Sequence, residues 1–385
     1  MNKIRIVHVI SSLKIGGAEA MLCDLISHLD LEQFDNHIIY FHEGPHVLRL
    51  RRMGVPTYHI TGFFCRYDPV FCLRFLWRIF RLRPHCLHTS LWSANVLGGL
   101  VARLFRIPYI NAIHLATNKE SEDVNTTFRM LLDRLVFNGA YKIVTVSDDV
   151  ASQLHKNYAP TITPARVAVI KNGIDHIYIH AQAEKMGISR QSLGLSDRHF
   201  IIGTVGRLIP RKNHAWLLDI FASFAANHSL ARLIIVGEGQ LENTLKDQVR
   251  ALRLEDKVLF ITGGASAYPY YPLFDCFALP SLSEGLSIAL LEAMSFGIPS
   301  IVAHPQKIHE VIKEGVSGFI VDPTNPLDFL EVLEKLKTDK SLRKRIGTAA
   351  HKEVQSEFNV DRMVQGYTAA FKEAYSARSA GQQKI

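Results

Sequence analysis

Short apolar runs of strand length alternate with helix-patterned stretches along nearly the whole chain, and this alternation limits the possible folds most. In the first half IRIVHVI, HIIYF, VPTYHI, CLHTS, PYINAIH and KIVTVS read as strands. Helical periodicity fills residues 18–29, 70–80, 94–104 and 126–137. A second series opens at FIIGTVGRL and continues through RLIIVGEG, VLFITG, CFALP, PSIVA and GFIV. Strands interleaved with helices need crossover connections, which produce parallel sheets covered on both faces. Two such series predict an α/β chain of two doubly wound, Rossmann-like domains facing a cleft. Asn172-Gly173, in KNGID, marks a turn that separates them, so domains are expected at 1–172 and 173–360. A chain of 385 residues is long enough to bury two cores.

Bulk properties narrow the function. No apolar run reaches the ~18 residues of a membrane helix, and MNKIRIVHVISS reads as a first strand rather than a signal peptide. The five cysteines (Cys23, Cys65, Cys72, Cys86 and Cys276) form no C-x-x-C pair, which suits reduced thiols in a cytoplasmic protein. The net charge of +8 is uneven: residues 1–175 carry 20 Lys and Arg against 14 Asp and Glu. Residues 49–106 hold ten arginines and one acid, Asp68. That asymmetry asks for an anionic partner, but no zinc-finger or RNA-binding signature accompanies it, so nucleic acid is not expected.

The run SLSEGLSIALLEAMSFGIPSIVA holds the most chemistry. Glu284-Gly285 supplies a turn, residues 286–296 are good helix formers, and Gly297 ends them. A helix start with free N–H groups at Leu286, Ser287 and Ile288 would cradle a phosphate, and Glu284 and Glu292 on either side would suit hydroxyl groups. On spacing alone, a solvated helix Glu and a turn Gly are the commoner explanation of the pattern. In TVGRLIPRKNHAWLL, Arg207 and Lys212 flank a strand-end loop and suit a diphosphate that gains charge as its sugar departs, whereas Arg211 reads as solvated. Gly16 and Gly17 follow the first strand, where glycine lets a ligand approach backbone closely or simply makes a tight turn. His114 ends the strand PYINAIH, on the side where such sheets bind ligands. Asp148-Asp149 follows Ser147 and reads as a capped helix start, not an acid pair. No D-x-D motif and no His/Cys cluster of metal-ligand spacing occurs in the sequence, so no metal and no cofactor are expected.

S-x-x-E-G-x-x-x-x-x-L-E-A-M-x-x-G-x-P resembles the signature of the retaining glycosyltransferases of family 4, which have the GT-B fold. G-R-L-x-x-x-K-N, GGAE and N-G-I-D resemble further family segments in the same order. The resemblance implies a retaining, metal-independent transfer of sugar from a nucleotide-sugar donor, UDP-sugars foremost, to a glycan or lipid-linked acceptor. It implies that Glu284 and His114 meet the sugar, Glu292 the ribose, and Arg207, Lys212 and the Leu286-Ser287 backbone the diphosphate. Gly16 and Gly17 would face the donor phosphates. Bacterial envelope polysaccharide or lipopolysaccharide assembly is the implied setting. A sugar-nucleotide epimerase on the same fold and a non-catalytic subunit of a polysaccharide-synthesis complex are the rivals. The family's Gly-Gly pair before Glu310 is missing, where this chain has 303–309 as AHPQKIH, so the identity of the sugar does not carry over.

Two segments complete the expectation. Residues 361–374 place Met363, Val364, Tyr367, Ala370 and Phe371 on a helical period, matching the helix that crosses back to the first domain in GT-B enzymes; 361–385 would pack there, with 376–385 a loose tail. FFCRYDPVFCLRFLWRIFRLRP mixes five arginines with Phe, Leu and Trp over residues 66–83. It reads either as a core helix with solvated arginines or as an interfacial helix on an anionic membrane, which would place the protein peripherally on the inner face of the cell membrane.

Overall fold

The computed structural model describes residues 3–62, 68–115, 126–263, 266–303 and 310–382. The chain divides into two compact units, Met1–Gly173 with Val360–Ile385, and Ile174–Asn359. Each is built on one parallel sheet.

The first sheet contains β1 (Ile4–Ser12), β2 (Phe34–His42), β3 (Thr57–His59), β4 (Cys86–Ser90), β5 (Tyr109–Ile113), β6 (Lys142–Thr145) and β7 (Val167–Val169). Their order is β3-β2-β1-β4-β5-β6-β7, so the order reverses at β1 and β4. The central strands β4 and β5 are buried throughout, as strands covered on both faces of a parallel sheet are, although β4 carries the polar His88, Thr89 and Ser90. β7 was not among the expected strands; three half-exposed residues at a sheet edge carry too little apolar pattern to be seen.

Alternation along the strands sorts the first unit into two layers. His8, Tyr40 and His88 point to one face, where the helices Gly17–His28 and Val360–Gln382 pack; Phe371 lies edge-on to both histidines. Phe41 and Thr89 point to the other. There Phe41 meets Phe71 of the helix Pro69–Leu82, and Thr89 touches Gly98 of the helix Trp92–Leu104. Tyr109, on that same face, donates its hydroxyl to the Val136 carbonyl of the helix Thr126–Gly139.

The C-terminal helix buries Met363, Tyr367, Ala370, Phe371 and Ala374 in the first unit's core. It also corrects one expectation. Residues 376–382 are helical rather than loose, because the helix runs on to Gln382 and Arg378 donates to the Pro84 carbonyl. Residues 383–385 lie outside the described residues.

The second sheet contains β8 (Phe200–Val205), β9 (Ala231–Val236), β10 (Val258–Ile261), β11 (Cys276–Leu279), β12 (Ser300–Ala303) and β13 (Phe319–Val321). Its order, β10-β9-β8-β11-β12-β13, reverses at β8 and β11. Ligands in open parallel sheets bind outside the strand C-termini at such a reversal. Here the loops after β8 and β11 are Gly206–Lys212 and Pro280–Ser287, the two segments that the sequence singled out. Among the described residues Cys23, Cys86 and Cys276 are free thiols, and no helix is long and apolar enough to cross a membrane.

Candidate functional site

In the second unit the loop after β8 is pinned by its neighbour. Gly237, at φ +149°, ends β9, and a side chain there would meet the Gly206 carbonyl at 1.9 Å. Only glycine allows this backbone crossing. Leu208 then donates its N–H to the Glu238 carbonyl at 2.9 Å, which fixes the loop and leaves Arg207 exposed. A short 3-10 turn, Pro210–Lys212, carries the chain back over the end of β11.

That turn delivers two cations to Glu284. Lys212 Nζ lies 2.5 Å from Glu284 Oε1, and Arg211 Nη1 lies 3.6 Å from Oε2. Arg211 also donates to the Ser283 carbonyl at 2.8 Å, and its backbone carbonyl accepts from Leu282 N–H. The expectation that Arg211 is solvated is therefore corrected: its side chain is 19% exposed and ties two loops together. Burial pushes the Glu284 carboxyl up, but Lys212 and then Arg211 outweigh it and hold the group below its ordinary value. Glu284 is thus a charged, largely dry carboxylate held by two fixed cations.

The helix after this loop spans Ile288–Ser295, starting two residues later than predicted. Ser287 is its N-cap and accepts from Leu290 N–H, so the groups in its first turn without an intrahelical acceptor are those of Ile288 and Ala289. Leu286 and Ser287 are both buried and lead the chain into this helix.

Glu292 sits about one turn along, only 7% exposed. Tyr271 donates its hydroxyl to Glu292 Oε2 at 2.6 Å and lies within 3.3 Å of the Ala289 carbonyl. Burial, followed by the charge of Glu292, pushes the phenol well above its ordinary value, so it remains a donor. Sequence reasoning missed Tyr271, since YPYYPLF reads as an apolar run and its contact with Glu292 is not local. Tyr271→Phe is expected to cost roughly 1.5–3 kcal/mol of stability, the scale of a hydrogen bond to a charged group. Urea unfolding would read it; a loss below about 0.5 kcal/mol would mean that Glu292 does not depend on this donor.

In the first unit the reversal point lies between β1 and β4. Gly16 opens the helix Gly17–His28, and a side chain on it would meet Glu19 Oε2 at 2.3 Å. Glu19 itself is buried and accepts from Ser12 Oγ at 2.8 Å, so Gly16 makes room for a carboxylate folded over the helix start. After β4, Leu91 adopts φ +70°, a costly conformation for a branched residue. It opens the helix Trp92–Leu104, whose Ala94 N–H is taken by Ser11 Oγ at 3.1 Å. Nothing in TSLWS signals this strain.

His114 follows β5 and lines a cavity of about 90 Å³ with Trp92, Asn95, Arg129, Asp133 and Tyr158. Asp133 is buried; its carboxylate accepts from Trp92 Nε1 at 2.9 Å and from the Tyr158 hydroxyl at 2.7 Å. Burial raises the Asp133 carboxyl, against those two hydrogen bonds. His114 Nε2 and Asn95 Oδ1 are buried without a hydrogen-bond partner among the described residues. Burial lowers the His114 imidazole to about 4, which makes it a neutral ring at physiological pH. Ser147 caps the helix Asp148–Tyr158 through Val150 N–H, as expected for a structural Asp148-Asp149 pair. The segment 304–309, where the Gly-Gly departure falls, and Arg66 lie outside the described residues.

Residues 186–353 match the pattern of the family described as glycosyl transferases group 1, and residues 15–177 that of glycosyltransferase family 4. An Escherichia coli UDP-Gal:alpha-D-GlcNAc-diphosphoundecaprenol alpha-1,3-galactosyltransferase is 26% identical over 356 residues, covering 89% of this chain and 90% of its own. A D-inositol 3-phosphate glycosyltransferase of Thermomonospora curvata is 23% identical over 322 residues, 77% of this chain and 73% of its own. Anabaena HepE, crystallised with UDP-glucose, superposes with a TM-score of 0.82 at 20% identity, covering 97% of this chain and 99% of its own. Sucrose-phosphate synthase of Thermosynechococcus elongatus gives 0.79 at 16% identity, covering 97% and 100%.

Proposed function

Because the chain belongs to the glycosyltransferases of group 1 and family 4, with the GT-B fold, we propose that it is a retaining, metal-independent enzyme that takes sugar from a nucleotide-sugar, a UDP-sugar first, and delivers it to a lipid-linked glycan. The anomeric carbon would exchange its bond to the diphosphate oxygen for one to an acceptor hydroxyl, whose proton leaves with the nucleoside diphosphate. The observation that carries this reading is the Lys212–Glu284 pair at the sheet reversal, beside the start of the helix Ile288–Ser295. Arg207, Lys212 and the helix-start N–H groups would hold the diphosphate, with Leu286 and Ser287 shaping that backbone. Such fixed positive charge does the work that a divalent cation does in other transferases, so no cofactor is needed. Glu292 would hold the ribose, Glu284 the sugar, and Gly16-Gly17 would leave space for the donor phosphates. His114, being neutral, would hydrogen-bond a sugar hydroxyl without competing for the anion. The E. coli relative acts, by its name, on a diphosphoundecaprenol-linked acceptor, which supports a lipid-linked acceptor and a place in envelope glycan assembly at the inner membrane surface.

Saturation-transfer NMR against UDP-, GDP-, ADP- and dTDP-sugars in EDTA tests the donor side. Binding of one nucleotide class without metal is the expected result. Glu292→Gln should then weaken that donor by roughly 1.5–3 kcal/mol, about ten- to a hundredfold. No binding without added divalent metal would overturn metal independence, and an unchanged Kd in the variant would remove the ribose role. Anomeric NMR of the product distinguishes retention from inversion.

A further inference from the structure

The helix Pro69–Leu82 buries Phe71, Phe75, Ile79 and Leu82 against the first sheet, yet its outer face is also apolar. Leu73 is 65% exposed, Trp77 54% and Phe80 58%. The same surface continues onto two neighbours. Phe80 packs its ring 6.3 Å from that of Phe105, at the end of the helix Trp92–Leu104. That helix in turn touches Thr126–Gly139, where Gly99 faces Val136 and Arg103 Nη1 donates to the Leu135 carbonyl at 2.6 Å. Leu104 and Leu131 stand out from these helices at 67% and 63% exposure. All three helices cover the same face of the sheet, the one marked by Phe41, Thr89 and Tyr109.

Among the described residues of this layer, exposed charge has one sign. Arg74, Arg81, Arg83, Arg103, Arg106 and Arg134 are exposed. Across residues 69–115 and 126–139 the only carboxylate is Asp133, and it is buried in the cavity beside His114. Asp68 is occupied as the cap of the first helix, accepting from Val70 and Phe71 N–H. Arg81 lies over the Trp77 ring at 5.2 Å, which pairs a cation with an aromatic in the arrangement favoured at a membrane interface.

We propose that these three helices form one docking face for an anionic lipid bilayer, wider than the 66–83 segment. Exposed leucines and aromatics would enter the headgroup–acyl boundary while the arginine guanidiniums meet lipid phosphates. A second copy fits this surface poorly, because a two-fold contact would set arginine against arginine. A polyanion such as nucleic acid would leave Leu73, Phe80, Leu104 and Leu131 uncovered. The inference rests on the lipid-linked acceptor proposed above, and it is testable apart from it.

The experiment is flotation of the full chain with phosphatidylcholine vesicles, with and without about one-third phosphatidylglycerol. Binding is expected only to the anionic vesicles and is expected to weaken as salt is raised. Arg74→Glu/Arg81→Glu and, separately, Leu104→Asp/Leu131→Asp should each lower partitioning at least tenfold, with circular dichroism checking that the variants fold. Loss in the first variant alone would confine docking to one helix and overturn the three-helix face. Equal binding to neutral vesicles would overturn the anionic requirement. Failure to float, with concentration-dependent dimers abolished by the same variants, would assign the face to a second copy and overturn the proposal; failure to float without dimers overturns it as well. Donor titration of the wild-type chain reads the transferase separately: donor binding without flotation sinks only the docking face, and flotation without donor binding sinks only the transferase reading.

Discussion

Replacing Lys212 with Met is expected to damage both stability and turnover, and the two effects are separable. In the native protein Lys212 and Arg211 hold Glu284 ionised although its side chain is only 8% exposed. Breaking a buried ion pair costs about 3–5 kcal/mol when one charge is left alone. Arg211, at 3.6 Å, remains and softens this, so we expect a loss of about 2–3 kcal/mol. The pH dependence follows. A carboxyl whose folded value lies below its unfolded value adds stability above the unfolded value and loses it as pH falls through the folded value. Without Lys212, the largest influence opposing burial, the Glu284 carboxyl rises and this contribution shrinks. If Lys212 also neutralises the departing diphosphate, kcat falls by about a hundred- to a thousandfold, the scale for losing one fixed charge-stabilising donor. The Lys212→Met/Glu284→Gln double variant decides between roles, because the buried carboxylate is neutralised together with its lysine while Arg211 keeps the Ser283 carbonyl. It should regain most of the stability and none of the turnover. Recovery of both in urea unfolding and a donor-turnover assay would reduce the pair to a structural contact.

The sheets and the local order of the site were legible because their causes are local. Apolar runs set β8 to β13, and the turn at Glu284-Gly285 and the stop at Gly297 framed the helix near its true position. Ser147 as a cap was equally legible, since capping is decided within four residues. What stayed hidden is set by contacts between distant segments. Arg211 and Ser283 are far apart in sequence, so nothing in RKN told which cation would be tethered. Tyr271 reaches Glu292 from a separate 3-10 segment, and the positive φ of Leu91 sits at the first sheet's reversal without a local mark in TSLWS. The C-terminal tail was misjudged for a related reason: SARSAGQ is polar, and its helix is held partly by Arg378 reaching back to Pro84.

Acidification is expected to destabilise the first unit well above the range where carboxylates titrate. His8 and His88 lie fully buried on adjacent strands with their Nδ1 atoms 2.9 Å apart, so one proton must serve the contact. His8 Nε2 is engaged by Asn36 Oδ1 at 3.1 Å, and the Phe371 ring packs edge-on to both imidazoles. No carboxylate contributes to either imidazole's balance; the charges felt are those of other histidines, His37 at His8 and His8 and His114 at His88. Burial lowers His8 to about 4 and His88 well below its ordinary value. The unfolded chain, near 6.5, therefore binds more protons than the native one between about pH 6.5 and 4, and stability falls as pH falls through that window. His8 alone would forfeit about 2 kcal/mol by pH 5, and His88 adds to it, as do His46 and His114 of the same unit, which burial lowers to about 4. Carboxylates such as Glu284 contribute only lower down. A Trp216→Phe background leaves Trp77 and Trp92 as the fluorescent reporters, both in the first unit. Its urea midpoint should drop steadily from pH 7 to pH 5, and His88→Gln, whose amide can still donate to His8, should flatten the slope. A midpoint that holds constant down to pH 5 would mean that the pair already carries a second proton in the native core, and the neutral assignment would fail.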